Sequence, residues 1–255
     1  MTSSFSVADQ VLRQWGAHVV PIRTSAKDES DWLAVFGEFR LLVEEKIKLE
    51  NEQSLTERQE KLARGEVYSS TLPLAHNNRL SGIVRKAAKQ LASTGSDLDH
   101  DCRIVWFTST GFDAEAKHHQ FMATLYGSTK VFELSRPGLK DCYFFRHADF
   151  YRFKDQLDGA VVAYLRGDQA TVKLCLNPYS AHWEALRDSP FAGNFKLGLV
   201  DPVAEEVAGK AYIADTDADR ANPHAIIRFL EQKYGLEQAQ YMDMNLASVL
   251  VAVPR

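Results

Sequence analysis

The sequence predicts a mixed α/β fold, in which a β-sheet is flanked by helices and followed by an additional C-terminal α/β portion. Three patterns support this fold class: helical spacing of apolar residues near the start, two apolar strands joined by two residues, and an amphipathic helix followed by a buried strand. A chain of 255 residues has the length of one large domain. We therefore expect a single domain over residues 1–255, with a core at 5–135 and an extension of the same domain at 136–255.

Composition limits the class of protein and its environment. The net charge of -4 gives no overall basic field, so contact with nucleic acid would require a local basic patch. The three cysteines are far apart and odd in number, which argues against a disulfide framework. No segment approaches the roughly 18 apolar residues of a membrane span, and the start lacks a signal-peptide pattern. We expect a cytoplasmic protein without membrane contact.

The first elements are predicted to be a helix and then antiparallel strands. Apolar residues at helical spacing predict a helix over residues 5–15, which Ser4 or Ser6 would cap. Residues 18–22 are rich in β-branched side chains and predict a short strand, and residues 24–30 predict a polar loop. Strands at 32–36 and 39–47 are separated by Gly37 and Glu38, which is typical of a hairpin.

The middle of the chain alternates helical and strand patterns. Ser54 and Glu57 form a capping-box signature for a short helix that continues to Leu62. The apolar stripe over residues 80–91 predicts an amphipathic helix, and residues 103–107 predict a buried central strand. A helix at 112–126 and a strand at 130–134 follow. This strand, helix, strand order predicts a parallel crossover.

The C-terminal pattern is weaker. Residues 160–165 and 170–176 are predicted to be paired strands, joined through residues 166–168. A helix at 226–234 and an apolar run at 249–253 complete the predicted elements.

A group of polar residues at the hairpin has the chemistry of a metal-dependent hydrolase. Phosphodiester hydrolysis uses a hard cation held by one or two carboxylates, and it benefits from a lysine near the attacking water. Side chains alternate along a strand, so Glu44 and Lys46 are predicted to share one face, and Asp31 precedes the partner strand. These three side chains are therefore expected to converge at one end of the hairpin.

This arrangement resembles the PD-(D/E)-x-K nuclease superfamily, which has a restriction-endonuclease-like fold. The core of the family has the order helix, three strands, helix, strand. The resemblance rests on Asp31, on the run Glu44-Glu45-Lys46, and on the order of elements over about residues 5 to 110. It implies a nuclease, acting on DNA as the expected substrate, with Asp31 and Glu44 as ligands of magnesium or manganese. It also implies that Lys46 positions or activates the water and that Gln90, on the following helix, assists.

Two positions depart from the family pattern. Ser30 stands where a proline commonly precedes the first aspartate. Glu45 falls on the strand face shared with Leu41, Val43 and Ile47, where the family usually has an apolar residue. Either the strand ends or bulges at Glu45, or Glu45 joins the site as a further metal ligand.

The helix that follows the motif carries the predicted nucleic-acid contacts. Phosphate neutralisation requires clustered cations, and this helix presents Arg79, Arg85, Lys86 and Lys89. Cleavage of both DNA strands by one site per chain would favour a homodimer. Two alternatives remain open. One is a non-catalytic interaction or assembly protein, with these charges as a solvated strand end and helix face; the other is a nucleotide- or nucleic-acid-binding module without cleavage that uses the basic helix.

Two other clusters are interpreted as structural. His118 and His119 are adjacent, so they diverge on a helix and are expected to be surface histidines. The run of Asp215, Asp217 and Asp219 resembles the start of a calcium loop. However, Arg220 and Ile226 stand where glycine and glutamate are required, so a polar loop is expected.

Overall fold

The computed structural model describes residues 6–22, 29–167, 169–242 and 246–252. Four residues of the predicted elements lie outside these ranges: Phe5, Thr24, Asp168 and Val253. The fold is mixed α/β, with a multistranded mixed sheet flanked by helices. The helices are α1 (Val7–Gln14), α2 (Glu52–Ala63), α3 (Asn78–Gly95), α4 (Ala114–Tyr126), α5 (Asp149–Arg152), α6 (Trp183–Arg187), α7 (Pro202–Val207) and α8 (Pro223–Tyr234). The strands are β1 (His18–Pro21), β2 (Trp32–Phe36), β3 (Phe39–Lys48), β4 (Tyr68–Pro73), β5 (Cys102–Ser109), β6 (Thr129–Glu133), β7 (Arg136–Tyr143), β8 (Gly159–Arg166), β9 (Gln169–Leu176), β10 (Leu199–Val200), β11 (Ala211–Ile213), β12 (Ala239–Tyr241) and β13 (Leu246–Val251).

Among the residues that the structure describes, the main sheet has seven strands in the order β1-β2-β3-β5-β8-β9-β10. β2 and β3 form the predicted antiparallel hairpin, with Trp32 opposite Val43. β3, β5 and β8 are parallel neighbours, and β8 pairs antiparallel with β9 as the sequence predicts. The central strands of this sheet therefore follow the sequence prediction closely.

The predicted crossover from β5 through α4 to β6 is wrong. β5 hydrogen-bonds to β3 on one side and to β8 on the other, which leaves no edge for β6. β6 instead belongs to a second sheet with the order β11-β7-β6-β12. Val131 of β6 packs there with Ile226 and Leu230 of α8 in a separate hydrophobic cluster. The two sheets share a core, because Ala211 and Ile213 of the second sheet lie in the cluster that covers one face of the main sheet.

The main sheet buries both of its faces, and side-chain alternation along β3 decides which residues belong to each face. Leu42 of β3 packs in the cluster that includes α3 and α4. Leu41 and Val43 pack in the opposite cluster, which includes Ala8 and Leu12 of α1. Residues with even numbers in β3 consequently face α3, and residues with odd numbers face α1.

Side-chain caps explain where three of the helices begin. The Ser6 hydroxyl accepts from Asp9 N at 3.0 Å at the start of α1, in line with one of the two predicted caps. Asn77 caps α3, accepting from Arg79 N at 2.9 Å. Asn51 caps α2, so that helix begins before Ser54 and the predicted capping box is wrong.

A two-stranded ribbon lies outside both sheets. β4 pairs antiparallel with β13, so that Tyr68 lies opposite Val251 and Pro73 lies opposite Leu246. None of the helices in the described ranges has the length and apolar composition that crossing a membrane requires.

Candidate active site

Glu44, Lys46 and Gln90 are in direct contact on the face of β3 that is turned toward α3. The Lys46 ammonium donates a hydrogen bond to Oε1 of Glu44, and it donates another to Oε1 of Gln90 at 3.0 Å. Gln90 Nε2 donates to the carbonyl oxygen of Glu29 at 3.0 Å, which fixes the amide from its other side. Three of the predicted catalytic residues are thus joined through Lys46.

Asp31 lies beside this group. It immediately precedes β2, and its Oδ2 accepts a hydrogen bond from the backbone N–H of Glu45 at 2.8 Å. Its negative charge is close enough to contribute to the raised pKa of Glu44, after the larger effect of burial. The structure therefore brings Asp31 to the same end of the hairpin as Glu44.

Glu44 has an unusual electrostatic environment. Its side chain is only 1% exposed, and its Oε2 has no hydrogen-bond partner among the described residues. Burial raises the pKa of Glu44 to about 7; the hydrogen bond from Lys46 acts in the opposite direction, and the charge of Asp31 adds to the increase. A nearby cation favours the charged form of a carboxylate, so a cation bound beside Glu44 would act against the effect of burial on its pKa.

Glu45 lies on the opposite face of the sheet. Its carboxylate accepts from the Ser6 hydroxyl and, at 2.9 Å, from the backbone N–H of Ala8, both at the N-terminus of α1. β3 neither ends nor bulges there, because its pairing with β5 continues through Glu45 to Lys48. The structure does not bring Glu45 to Asp31 and Glu44. A helix N-terminus favours a carboxylate, which explains how an acid is accommodated at this inward-facing position.

The predicted basic residues of α3 are exposed: Arg79, Arg85, Lys86 and Lys89. Lys86 is one turn before Gln90 on the same side of the helix, and its positive charge acts against the burial that raises the pKa of Glu44. Lys86 therefore contributes to the electrostatic field at Glu44, which together with Asp31 forms the acid pair. Arg79 is about 16 Å from Gln90 along the helix axis.

The donor set fits an ion that the protein only partly coordinates. Within the described ranges, no group of three or more His, Cys, Asp or Glu side chains is arranged to hold a metal. Magnesium keeps several waters and takes one or two carboxylates together with substrate oxygens. Asp31 and Glu44 supply that number, so the acid pair suits a hydrated ion completed by a phosphate rather than a closed structural metal site.

His118 differs from its prediction as a surface histidine. The side chain is 1% exposed and packs edge-on against Tyr164, and neither ring nitrogen has a hydrogen-bond partner in the described part of the chain. Burial lowers its pKa to about 3, so the ring is neutral. His118 shares the apolar spacing of Phe121 and Leu125 on α4, a periodic signal that points inward.

Comparison of the chain with protein-family models, curated proteins and solved structures gives no match. A functional assignment therefore rests on the chemistry of the site itself, which consists of Asp31, Glu44, Lys46 and Gln90. The site places two acids, an ammonium group and an amide at one end of the β2–β3 hairpin, next to a basic helix.

Proposed function

We propose that the protein is a metal-dependent nuclease that hydrolyses phosphodiester bonds, with DNA as its substrate. The observation that carries this proposal is the convergence of Glu44, Lys46 and Gln90 with Asp31 on the α3 side of β3. An acid pair that can hold a hard cation, with a lysine in contact, is the minimum set for metal-assisted attack of water on a phosphate.

Each residue has a separate role in this proposal. Asp31 and Glu44 hold Mg²⁺ or Mn²⁺, and the oxygen of Glu44 that has no partner among the described residues is a coordination position. The ion supplies charge neutralisation of the phosphate and a lowered pKa of its bound water. Lys46 positions or activates the attacking water, and Gln90 holds the Lys46 ammonium in place.

The order of elements supports a restriction-endonuclease-like core. α1 is followed by the β1–β2–β3 meander, and α3 connects back to β5, which pairs parallel with β3. This is the succession of one helix, three strands, helix and strand that the resemblance implies. α2 and the β4 strand are inserted between β3 and α3.

The exposed cations of α3 support a nucleic-acid substrate. Phosphate neutralisation by Lys and Arg dominates affinity for nucleic acid, and α3 presents four such exposed side chains. One acid pair per chain cuts one strand at a time, so we extend the proposal to a homodimer when the substrate is duplex DNA.

The proposal is tested by incubating the protein with plasmid, linear duplex, single-stranded DNA and RNA, in magnesium, manganese or chelator. Glu44→Gln and Lys46→Ala are each expected to lower the cleavage rate about 100-fold or more. Lys48→Ala is the matched control, since Lys48 is an exposed lysine of the same strand, and it should cut at the wild-type rate. Absence of cleavage of all four substrates in both metals, or full activity in Glu44→Gln, would overturn the proposal.

A second candidate function is nucleic-acid binding without cleavage, which the exposed cations of α3 favour independently of the acid pair. It predicts metal-independent binding that weakens in Arg85→Gln and whose salt dependence becomes shallower by about one unit per cation removed. Cleavage that depends on Glu44 would rule it out.

A further inference from the structure

A cavity of about 700 Å³ lies at the N-terminal end of α3, away from the acid pair. Its walls come from the segment between β7 and α5, from α5 itself, and from the loop after β11. His76, immediately before α3, completes the lining. The chemistry of this cavity is mixed, with aromatic rings, arginines and carboxylates all facing one space.

Asp149 provides a buried acceptor in the cavity wall. The side chain is 2% exposed, and its Oδ1 accepts a hydrogen bond from the Ser81 hydroxyl at 2.9 Å. Its Oδ2 has no hydrogen-bond partner among the described residues, and His76 Nε2 is 4.0 Å from Oδ1, which is beyond hydrogen-bond distance. A buried acceptor without a partner is costly, so a ligand N–H at this position would be strongly favoured.

Arg220 provides a complementary donor. Its Nη2 donates to the carbonyl oxygens of Ala214 at 2.9 Å and Thr216 at 2.7 Å, which holds the guanidinium plane in place. Its Nη1 is buried and has no partner in the described part of the chain. Arg146 and Arg152 line the same cavity, and planar guanidinium groups are well suited to phosphate.

The aromatic lining offers a surface for a flat ring. Tyr151 lines the cavity, and its side chain is 50% exposed, which is unusual for a large aromatic residue. Its ring is supported edge-on by Tyr179 at a centroid distance of 5.0 Å, and Tyr179 in turn packs against Phe144 at 4.7 Å. Lys154 Nζ lies over one face of the Tyr151 ring, 5.4 Å from its centroid, so a nucleobase would stack on the opposite face.

We infer that this cavity binds a nucleoside monophosphate unit. The base stacks on Tyr151 and donates an N–H to Oδ2 of Asp149, while Arg220 and its neighbouring arginines hold the phosphate. An inorganic anion would use the arginines and leave the Asp149 acceptor without a partner, whereas a nucleotide satisfies both groups. The inference goes beyond the proposed nuclease, because none of these contacts involves the acid pair.

The nucleoside monophosphate unit could be a free nucleotide, or it could be one nucleotide of a single-stranded nucleic acid. α3 connects the two sites, since Ser81 bonds to Asp149 near one end of the helix and Gln90 bonds to Lys46 near the other. The axial separation of Ser81 and Gln90 is about 14 Å. A strand of a few nucleotides can span this distance, passing the exposed Arg85, which lies between Ser81 and Gln90 in α3.

Calorimetric titration tests the inference in chelator, where no cleavage occurs. The ligands are the four ribonucleoside monophosphates, inorganic phosphate and a single-stranded hexadeoxynucleotide. At least one monophosphate should bind about tenfold or more tightly than phosphate. Tyr151→Leu should weaken that binding about tenfold through lost stacking, and Asp149→Asn should weaken it without changing the affinity for phosphate. Arg64→Gln, at an exposed arginine immediately after α2, is the control and should bind as the wild type does.

The hexanucleotide separates the two sources. Tighter binding of the hexamer than of any monophosphate, with loss of that advantage in Arg85→Gln, identifies a strand along α3. Equal or weaker binding of the hexamer identifies a free nucleotide. The inference would be overturned if neither the monophosphates nor the hexamer bound. It would also be overturned if Tyr151→Leu and Asp149→Asn both kept the wild-type affinity while unfolding at the wild-type temperature. Failure of cleavage alone leaves these titrations unaffected, so the two proposals fail separately.

Discussion

Glu44 and Glu45 are consecutive residues of β3, and their carboxylates lie on opposite faces of the main sheet. Glu44 is held by Lys46 on the side of α3, and Glu45 accepts from Ala8 N at 2.9 Å on the side of α1. Because side chains alternate along a strand, Glu44 belongs to the candidate active site and Glu45 binds the N-terminus of α1 to the sheet. Substitutions of the two residues should therefore change different properties.

Glu44→Gln should remove a pH-dependent loss of stability. The carboxyl of an unfolded chain ionises near 4.5, whereas the folded protein, with a Glu44 pKa of about 7, keeps its proton longer. The unfolded state binds fewer protons between these values, so folding stability falls as pH rises through this window, by up to about 1.4 kcal/mol per pH unit. Urea unfolding in chelator at pH 5 and pH 8 should show this decline in the wild type and a shallower one in Glu44→Gln. Parallel profiles for the two proteins would contradict the buried, protonated state.

Glu45→Gln should lower the free energy of unfolding by about 1 kcal/mol, because the charged acceptor at the N-terminus of α1 is lost. Metal binding and cleavage should be unchanged, since this carboxylate faces away from the acid pair. Urea unfolding and a cleavage assay on the same preparation test both statements. A loss of cleavage at unchanged stability would instead make Glu45 a metal ligand.

Gln90→Leu should reduce the cleavage rate through the position of Lys46. The leucine cannot accept from the Lys46 ammonium or donate to the Glu29 carbonyl, so the ammonium gains freedom around Glu44. We expect about a tenfold fall in kcat with little change in KM, since Gln90 positions a group rather than binding substrate. Gln59→Leu, an exposed glutamine on α2, is the control. A rise in KM with unchanged kcat would place Gln90 in substrate binding.

His118→Leu should make the protein less sensitive to acid. The free imidazole takes up a proton near 6.5, whereas the folded protein resists this until pH falls to about 3. The unfolded state therefore binds more protons between these values, and stability is lost as pH falls through that window, by up to about 1.4 kcal/mol per pH unit. Urea unfolding at pH 7, 6 and 5 measures the slope. Equal slopes in wild type and variant would show that His118 is not the group responsible.

The β2–β3 hairpin and α3 could be predicted because their patterns are long and local. β2 and β3 alternate around a two-residue turn, and α3 carries an apolar stripe through more than three turns. The second sheet could not be predicted in the same way. β11 and β12 have three residues each, too few for periodicity, and the choice of β8 rather than β6 as the partner of β5 depends on packing across the whole chain.

Within the candidate site, alternation predicts that Glu44 and Lys46 share a face, and the structure confirms this contact. The partner of Glu45 could not be inferred, because Ser6 is 39 residues away and meets it only after α1 packs on the sheet. The half-exposed Tyr151 lies on a four-residue helix without a motif, so the cavity beside it becomes visible only in three dimensions.

The β4–β13 ribbon has a consequence for how the chain is made. β4 forms its backbone hydrogen bonds with residues 246–251, so Thr71 meets Ser248 across 177 positions of sequence. During synthesis from the N-terminus, the β4 edge emerges long before its partner exists. An unsatisfied strand edge of this kind attracts other chains. Truncation just before residue 246 should consequently yield a protein whose main sheet can assemble but which self-associates through β4.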